Sequence, residues 1–276
     1  MRIAFFGSPS FTTLFLDTLS AHHMEPSLIV TNPDRPVGRG MTRTAPAPKE
    51  WAIAHDASYL QPEKITQETI NTRAEQEWDL FIVIAYGHII PEALINIPKY
   101  GTINVHYSLL PKYRGASPVE TALLNGDTST GVAIQHMRYA LDSGPIIISK
   151  EVPIEENDTT LSLRDKLNTT AAQLIPSVVQ SFVDGTTTYS EQDHTLATMT
   201  KKISKTLGNL DVIETDIQKW NIFRAIGDRG WVTFTMDRSE TPTRTKITKA
   251  HFDGTHFIID EIIPENGKRQ PFIPKL

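Results

Sequence analysis

The fold is decided by the run Leu80-Phe-Ile-Val-Ile-Ala85, in which apolar residues follow one another without a break. A strand with one solvent face alternates apolar and polar residues, whereas a strand buried on both faces does not. The run therefore predicts a strand inside a parallel sheet, because helices cover both faces of such sheets.

Outward from this run, further strand signals alternate with helical ones. The predicted strands lie at 2–7, 27–30, 102–106, 131–136 and from 146 onward. Apolar residues at helical spacing follow the first strand, over residues 11–19. The alternation predicts an α/β fold with an open, mostly parallel sheet.

The second half of the chain begins with a helical stripe and ends in strand-like runs. Apolar residues recur at three- and four-residue spacing from Leu163 to Phe182, which predicts a helix that closes the α/β core. Beyond residue 207, one helix pattern and several β-rich runs predict a small barrel-like domain. We therefore expect a larger domain at 1–185, a linker at 186–206 and a small domain at 207–276.

Composition excludes several classes of site. The 276 residues include no cysteine, which excludes disulfides, thiolate metal sites and a cysteine nucleophile. No histidine pair has metal-ligand spacing, and no apolar run approaches the roughly 18 residues that cross a bilayer. The chain also opens on a strand-like run instead of a signal peptide. We expect a soluble, cytoplasmic protein with no metal and no membrane partner.

The net charge of −5 argues against a protein that coats nucleic acid indiscriminately, because such binding neutralises many phosphates. A local basic surface is still compatible with it, since several arginines cluster between residues 35 and 43. Glycine-rich phosphate loops and the serine-hydrolase elbow are absent from the sequence.

Candidate catalytic chemistry lies at the end of the predicted strand 102–106. Asn104 and His106 are two positions apart, so both side chains leave the same face of an extended strand. Ligands of open α/β sheets bind beyond the carboxyl ends of the strands. Asp142, in the turn Leu141-Asp-Ser-Gly-Pro145, is a carboxylate able to hold the imidazole. Taken singly, each of the three is more often a turn former or a satisfied polar contact.

The stretch from Asn104 to Pro118, NVHYSLLPKYRGASP, resembles the signature of methionyl-tRNA formyltransferases and, more broadly, of folate-dependent formyltransferases. Further segments agree in the same order, at 6–11, 33–40, 84–91 and 141–146. The resemblance spans roughly residues 1–205. It implies a Rossmann-like formyltransferase sheet as the catalytic domain and a C-terminal tRNA-binding-type domain.

The resemblance also implies the reaction. Asn104, His106 and Asp142 take the catalytic roles of that family. The donor is 10-formyltetrahydrofolate, and the acceptor is the α-amine of methionyl-initiator tRNA, used in translation initiation. The enzyme is expected to act as a monomer.

Two sets of binding residues follow from the same resemblance. Those expected at the folate are Ile84, Tyr86, Gly87, Ile89, Ile90, Ser108, Leu109, Leu110 and Pro111. Those expected at the tRNA are Arg39, Arg43, Lys112 and Arg114. The stretch 32–48 is too long for a plain connector, which favours a functional loop.

Two features depart from the family pattern. This chain has Met41-Thr-Arg-Thr44 where relatives often carry a lysine pair, and its C-terminal domain is shorter and less basic. We therefore expect weaker tRNA binding at higher salt.

Three alternative functions are open. They are a sugar-nucleotide N-formyltransferase with the same donor, a formyl-folate hydrolase, and a folate- or tRNA-binding module without catalysis. The arginine-rich loop speaks against the first alternative. The C-terminal domain and the loop would be unexplained in the hydrolase, and the catalytic trio would be unexplained in the binding module.

Overall fold

A computed structural model describes residues 1–37, 41–66, 77–238 and 241–273. Its α-helices are α1 (Thr13–Ala21), α2 (Ala47–Ala54), α3 (Glu92–Ile95), α4 (Pro118–Asn125), α5 (Thr160–Asp184) and α6 (Asp216–Ile226). Short 3-10 helices lie at Ser10–Thr12, His194–Leu196, Lys205–Gly208, Leu210–Val212 and Gly227–Arg229.

The strands follow in chain order. They are β1 (Ile3–Gly7), β2 (Leu28–Val30), β3 (Arg35–Val37), β4 (Thr42–Thr44), β5 (Ser58–Leu60), β6 (Leu80–Ile84), β7 (Thr102–His106), β8 (Arg114–Gly115), β9 (Ser129–His136), β10 (Ile146–Pro153), β11 (Met199–Thr200), β12 (Thr233–Arg238), β13 (Thr241–Phe252), β14 (Phe257–Pro264) and β15 (Gln270–Pro271).

Seven of these strands form one sheet, in the order β10-β9-β7-β6-β1-β2-β5. β1 pairs in parallel with β2 and β6, and the pairs β2–β5 and β6–β7 are also parallel, whereas β7 and β9 run antiparallel. The predicted open, mostly parallel sheet is thereby confirmed. The chain reverses its direction of travel across the sheet between β1 and β6, and ligands of such sheets bind at the carboxyl ends of these strands.

The continuous apolar run accounts for the centre of this sheet. Every residue of β6 is buried, and the rings of Phe81 on β6 and Phe6 on β1 lie 5.2 Å apart between centroids. The predicted core helix is α5, in which Leu163, Leu167 and Phe182 are buried. The buried centre holds the carboxyl ends of β1, β6 and β7 in fixed positions.

The chain divides into two compact units that are not contiguous in sequence. The first contains residues 1–114, 131–150 and 167–198, and the second contains 115–130, 151–166 and 199–276. The domain limits at 185 and 206 stay a prediction from the sequence.

The second unit contains α4, α6 and an antiparallel sheet in the order β12-β13-β14-β15. Within it, the buried carboxylate of Glu120 on α4 accepts hydrogen bonds from Arg164 Nη2 (3.0 Å) and from Arg229. The antiparallel sheet confirms the predicted β-rich C-terminal region.

The stretch 32–48 contains an antiparallel pair of strands that the sequence does not predict, and it ends at a helix that the sequence does predict, near Lys49. β3 and β4 pair antiparallel within it, and α2 begins at Ala47. Exposed strands carry no apolar alternation, so this ladder has no hydrophobic signal.

Candidate active site

β7 carries the first two candidate catalytic residues at its carboxyl end. Thr102, Asn104 and His106 share one face of the strand, and the buried Ile103 and Val105 occupy the other. Asn104 is half-buried, and no residue within the described ranges hydrogen-bonds its side-chain amide. Its N–H groups are therefore available to a ligand oxygen.

Both ring nitrogens of His106 face oxygen atoms. Nε2 lies 2.8 Å from the carbonyl oxygen of Tyr113, and Nδ1 lies 3.5 Å from Oδ2 of Asp142. A carbonyl and an ionised carboxylate accept hydrogen bonds but cannot donate them, so each nitrogen matches its neighbour only when it carries a hydrogen. The site therefore places an acceptor oxygen opposite each ring nitrogen of His106.

Asp142 is held by its neighbours in the turn after β9. Its backbone is in the left-handed region, with φ of 47°. Gln135 Nε2 donates to Asp142 Oδ1 (2.9 Å), and Gln135 Oε1 accepts from the N–H of Gly144 (3.2 Å). A Cβ at Gly144 would overlap the carbonyl oxygen of His136, so glycine lets the turn lie against β9. One carboxylate oxygen is thus fixed by Gln135 while the other faces His106.

A second glutamine reaches the backbone of the same turn. Gln192 Nε2 donates to the carbonyl oxygens of Asp142 (3.0 Å) and Gly144 (2.6 Å), and its Oε1 accepts from Arg114 Nε (3.1 Å) and Nη2 (2.6 Å). Gln192 is not predictable from the sequence, because it lies in a polar stretch without periodicity inside the predicted linker. Arg114, expected at the tRNA, is 7% exposed and also contacts His194 (2.9 Å).

The Tyr113 carbonyl that meets His106 belongs to the tightly bonded loop 107–113. The N–H of Tyr113 donates to Thr198 Oγ1 (2.8 Å), and the N–H of Thr198 donates to the Pro111 carbonyl (3.2 Å). Ser108 Oγ donates to the Lys112 carbonyl (2.5 Å). These bonds fix the position of the oxygen that faces His106 Nε2.

The residues expected at the folate differ in exposure. Ile84, Tyr86 and Ile90 are buried, Gly87 has φ of 82°, and Ile89 is 85% exposed. Of the second group, Ser108 and Leu110 are buried, and Leu109 and Pro111 are half-buried. The Ile89 side chain thus projects into solvent, whereas Tyr86 and Ile90 belong to one apolar cluster.

The hydroxyl of Tyr86 is buried and has no hydrogen-bond partner in the part of the chain that the structure describes. Its ring packs edge-on against Phe6, with centroids 5.7 Å apart. Burial raises the pKa of Tyr86 to about 12, so the phenol is neutral at any working pH.

A cavity of about 520 Å³ borders the turn that carries Asp142. Its lining residues are Glu92, Ile95, Asn96, His136, Met137, Arg138, Tyr139, Ala140 and Pro145. Ile95 and Met137 also pack on the apolar cluster that includes Tyr86 and Ile90. Burial lowers the pKa of His136 at the cavity wall, which favours its neutral form.

The residues expected at the tRNA are separated in the structure. Arg39 lies outside the described residues. Arg43, on β4, is exposed. Lys112 is exposed, and its Nζ lies 4.6 Å from the centroid of the Tyr113 ring.

The stretch 32–48, which contains Arg43, is attached near its start to other parts of the first unit through Asp34. Lys49 Nζ lies 2.7 Å from Asp34 Oδ2, and Gln61 Nε2 donates to Asp34 Oδ1 (2.7 Å) and to the Asn32 carbonyl (2.7 Å). The hydrogen bonds from Lys49 and then Gln61 hold the pKa of Asp34 below its ordinary value. These bonds join the start of the stretch to α2 and to the residue after β5.

Within the described ranges, three or more His, Cys, Asp or Glu side chains nowhere come together as a metal would require. Among those same residues, every helix is too short or too polar to cross a membrane.

Comparison with known proteins gives consistent matches. The family model described as formyl transferase matches residues 1–179. A methionyl-tRNA formyltransferase of Sulfurihydrogenibium sp. (strain YO3AOP1) is 40% identical over 229 residues, which cover 82% of this chain and 73% of that protein. The methionyl-tRNA formyltransferase of Staphylococcus aureus (strain MW2) is 37% identical over 237 residues, covering 86% and 76%.

Solved structures share the fold at lower identity. An N-formyltransferase from Helicobacter canadensis, in complex with folinic acid and dTDP-3-aminofucose, superposes with a TM-score of 0.66 at 20% identity, covering 91% of this chain and 87% of that one. A 4-N formyltransferase from Francisella tularensis superposes with a TM-score of 0.66 at 17% identity, covering 87% and 95%. At these identities the likeness concerns the fold alone.

Proposed function

The chain belongs to the formyl transferase family, and from this premise we propose that it transfers a formyl group from 10-formyltetrahydrofolate to the α-amine of methionyl-initiator tRNA. The enzyme class follows from the family. The acceptor is supported by relatives named methionyl-tRNA formyltransferase, 37% and 40% identical over more than four fifths of this chain.

The reaction needs charge stabilisation at one oxygen and one proton transfer. The amine nitrogen forms a bond to the formyl carbon, and the carbonyl electrons move onto the oxygen. The oxyanion then re-forms the carbonyl and expels the folate nitrogen, which takes up a proton in exchange for the one the amine loses. No covalent bond to the enzyme is required.

Asn104 and His106 are proposed to stabilise the oxyanion. The amide N–H groups of Asn104 donate hydrogen bonds to the oxygen as it gains charge, and such donors contribute most in the transition state. The His106 imidazolium adds a positive charge nearby. The observation that carries this assignment is the pair of acceptor oxygens, from Tyr113 and Asp142, that face the two ring nitrogens of His106.

Asp142 holds the charge on His106 and helps to move the proton. The carboxylate lies 3.5 Å from Nδ1 of the ring, where it can hold the orientation of the imidazole. We propose that Asp142, through water, relays the proton from the attacking amine to the departing folate nitrogen.

The donor's ring system is proposed to occupy the cavity that borders the Asp142 turn. Its volume, about 520 Å³, lies within the range of small-molecule sites. Ile95 and Met137, which line the cavity, connect it to the apolar cluster that includes Tyr86 and Ile90. The loop 108–111 is the second proposed contact. Ile89, which projects into solvent, is proposed to contact the donor from outside the cluster.

The tRNA is proposed to contact Arg39, Arg43 and Lys112, which supply positive charge for phosphates. Arg43 and Lys112 are exposed as this role requires. The tie between Asp34 and Lys49 anchors the stretch that carries the two arginines.

A formyl-transfer assay tests the function. The purified enzyme is given formyl-folate with methionyl-initiator tRNA, with an amino sugar linked to a nucleotide, or alone. We expect N-formylmethionyl-tRNA in the first reaction only. Formylated sugar would instead support the sugar-nucleotide enzyme, and formate released without an acceptor would support the hydrolase. Light scattering of the same preparation tests the predicted monomer.

A further inference from the structure

The side-chain amide of Gln192 is buried, and both its nitrogen and its oxygen are hydrogen-bonded. The side chain is 5% exposed, both of its N–H groups meet carbonyl oxygens, and its oxygen accepts two hydrogen bonds from one guanidinium. An amide with donors on one side and an acceptor on the other has only one orientation that fits this site. Arg114 therefore determines that the N–H groups of Gln192 point at the turn.

The two carbonyls that Gln192 binds belong to Asp142, whose own backbone is strained, and to Gly144, two residues later. Asp142 has a positive φ of 47°, a conformation that a residue with a side chain adopts only at a cost in free energy. A backbone held in such a conformation needs the surroundings to fix it. Gln192 grips the turn by its backbone, while Gln135 grips the Asp142 carboxylate.

We propose that Gln192, oriented by Arg114, is a positioning residue: it holds the turn 142–144 so that the Asp142 carboxylate stays against His106. This inference rests on the catalytic roles proposed above for Asp142 and His106. It gives Arg114 a role in the geometry of the site instead of contact with the tRNA.

The substitution Gln192→Glu tests the two hydrogen bonds that the amide donates to the turn. The variant keeps the size of the side chain and its contact with Arg114, but it replaces the two donors to the turn with an oxygen that repels both carbonyls. Displacement of a catalytic group by about 1 Å can cost about 10²-fold in rate. We expect kcat to fall about 10-fold to 100-fold, and KM for methionyl-tRNA to change less than about two-fold. Gln173→Glu, an exposed glutamine on α5, is the matched control and keeps the wild-type kcat.

A double-mutant cycle separates positioning from a general effect on the fold. If Gln192 acts through Asp142, the loss caused by Gln192→Glu largely disappears when Asp142 is already Asn. Equal losses of kcat in both backgrounds would overturn the proposal. Arg114→Leu should lower kcat about as much as Gln192→Glu does and leave the salt dependence of tRNA binding unchanged. A weaker salt dependence in Arg114→Leu would instead show that Arg114 contacts the tRNA.

A measurement without substrate keeps this inference separate from the proposed function. Nitrogen NMR of the labelled His106 ring reports its hydrogen bonds in the free enzyme. We expect the Nδ1 signal to move in Gln192→Glu and to stay in place in Gln173→Glu, with thermal denaturation showing that both variants are folded. An unmoved Nδ1 signal in the folded Gln192→Glu protein would contradict the positioning role, whichever acceptor the enzyme uses.

Discussion

At the scale of single residues, the charge of Asp142 is the most direct test of the site. Asp142→Asn keeps the shape of the side chain but removes the charge that balances the His106 imidazolium. We expect kcat to fall about 10²-fold to 10⁴-fold, the range for loss of acid–base function. Initial rates at saturating substrates measure it.

Asp56→Asn is the matched control for this substitution. Asp56 also has a positive φ, of 52°, and is exposed. Its variant should keep the wild-type kcat. A properly folded Asp142→Asn enzyme with unreduced kcat across the pH range would remove Asp142 from the catalytic group.

Removal of the Tyr86 hydroxyl is predicted not to destabilise the protein. Because the buried oxygen has no described partner, Tyr86→Phe should leave the free energy of unfolding unchanged or raise it, by up to about 1 kcal/mol. Urea unfolding measures this change. If the donor binds the hydroxyl, KM for formyl-folate rises in the same variant. A clear loss of stability would instead show that the hydroxyl is bonded in the free protein.

At the scale of elements, the stretch 32–48 carries the proposed contacts with tRNA. Arg39→Ala combined with Arg43→Ala should raise KM for methionyl-tRNA and leave the affinity for formyl-folate unchanged. Each lost phosphate contact should lower the slope of log affinity against log salt by about one. KM measured at several salt concentrations tests this.

The control for charge alone is Lys64→Ala with Lys150→Ala, which removes two exposed cations elsewhere. Its salt curve should match that of the wild type. If the arginine double variant also gave a salt curve parallel to that of the wild type, the stretch 32–48 would not bind the tRNA, and the sugar-nucleotide acceptor would gain support.

Elements with an apolar pattern were predictable from the sequence, and elements without one were not. The run at 80–85 became β6, and the stripe ending at Phe182 became α5, because burial selects apolar residues at the period of the element. The exposed ladder of β3 and β4 has no such pattern.

The candidate site likewise has a part that the sequence predicts and a part that it does not. The strand position of Asn104 and His106 and the turn of Asp142 could be predicted, since local spacing determines both. Gln192 reaches its turn from 48 residues farther along the chain, through hydrogen bonds that no periodicity records. Long-range polar contacts of this kind require the tertiary structure.

At the scale of the whole molecule, Glu120 holds distant parts of the second unit together. Its side chain is 4% exposed and pairs with Arg164 and Arg229, each 29% exposed. Glu120→Gln leaves two guanidinium groups without their anion. We expect the free energy of unfolding to fall by about 3 kcal/mol, the low end for a broken buried pair, because both arginines reach water.

Urea unfolding measures this loss, with Glu151→Gln on β10 as the exposed control. The control should keep the wild-type unfolding midpoint. A Glu120→Gln protein with the same midpoint would mean that the buried charge contributes nothing to stability.

The separation of Glu120 and Arg229 along the chain affects how the protein is made. The two residues are 109 positions apart, so the glutamate leaves the ribosome long before its second arginine. Until then the growing chain carries a carboxylate that cannot be buried with both of its counterions. Translation that stops before residue 229 would release a product whose second unit lacks this ion pair. Such a product would be less stable and more easily degraded by cellular proteases.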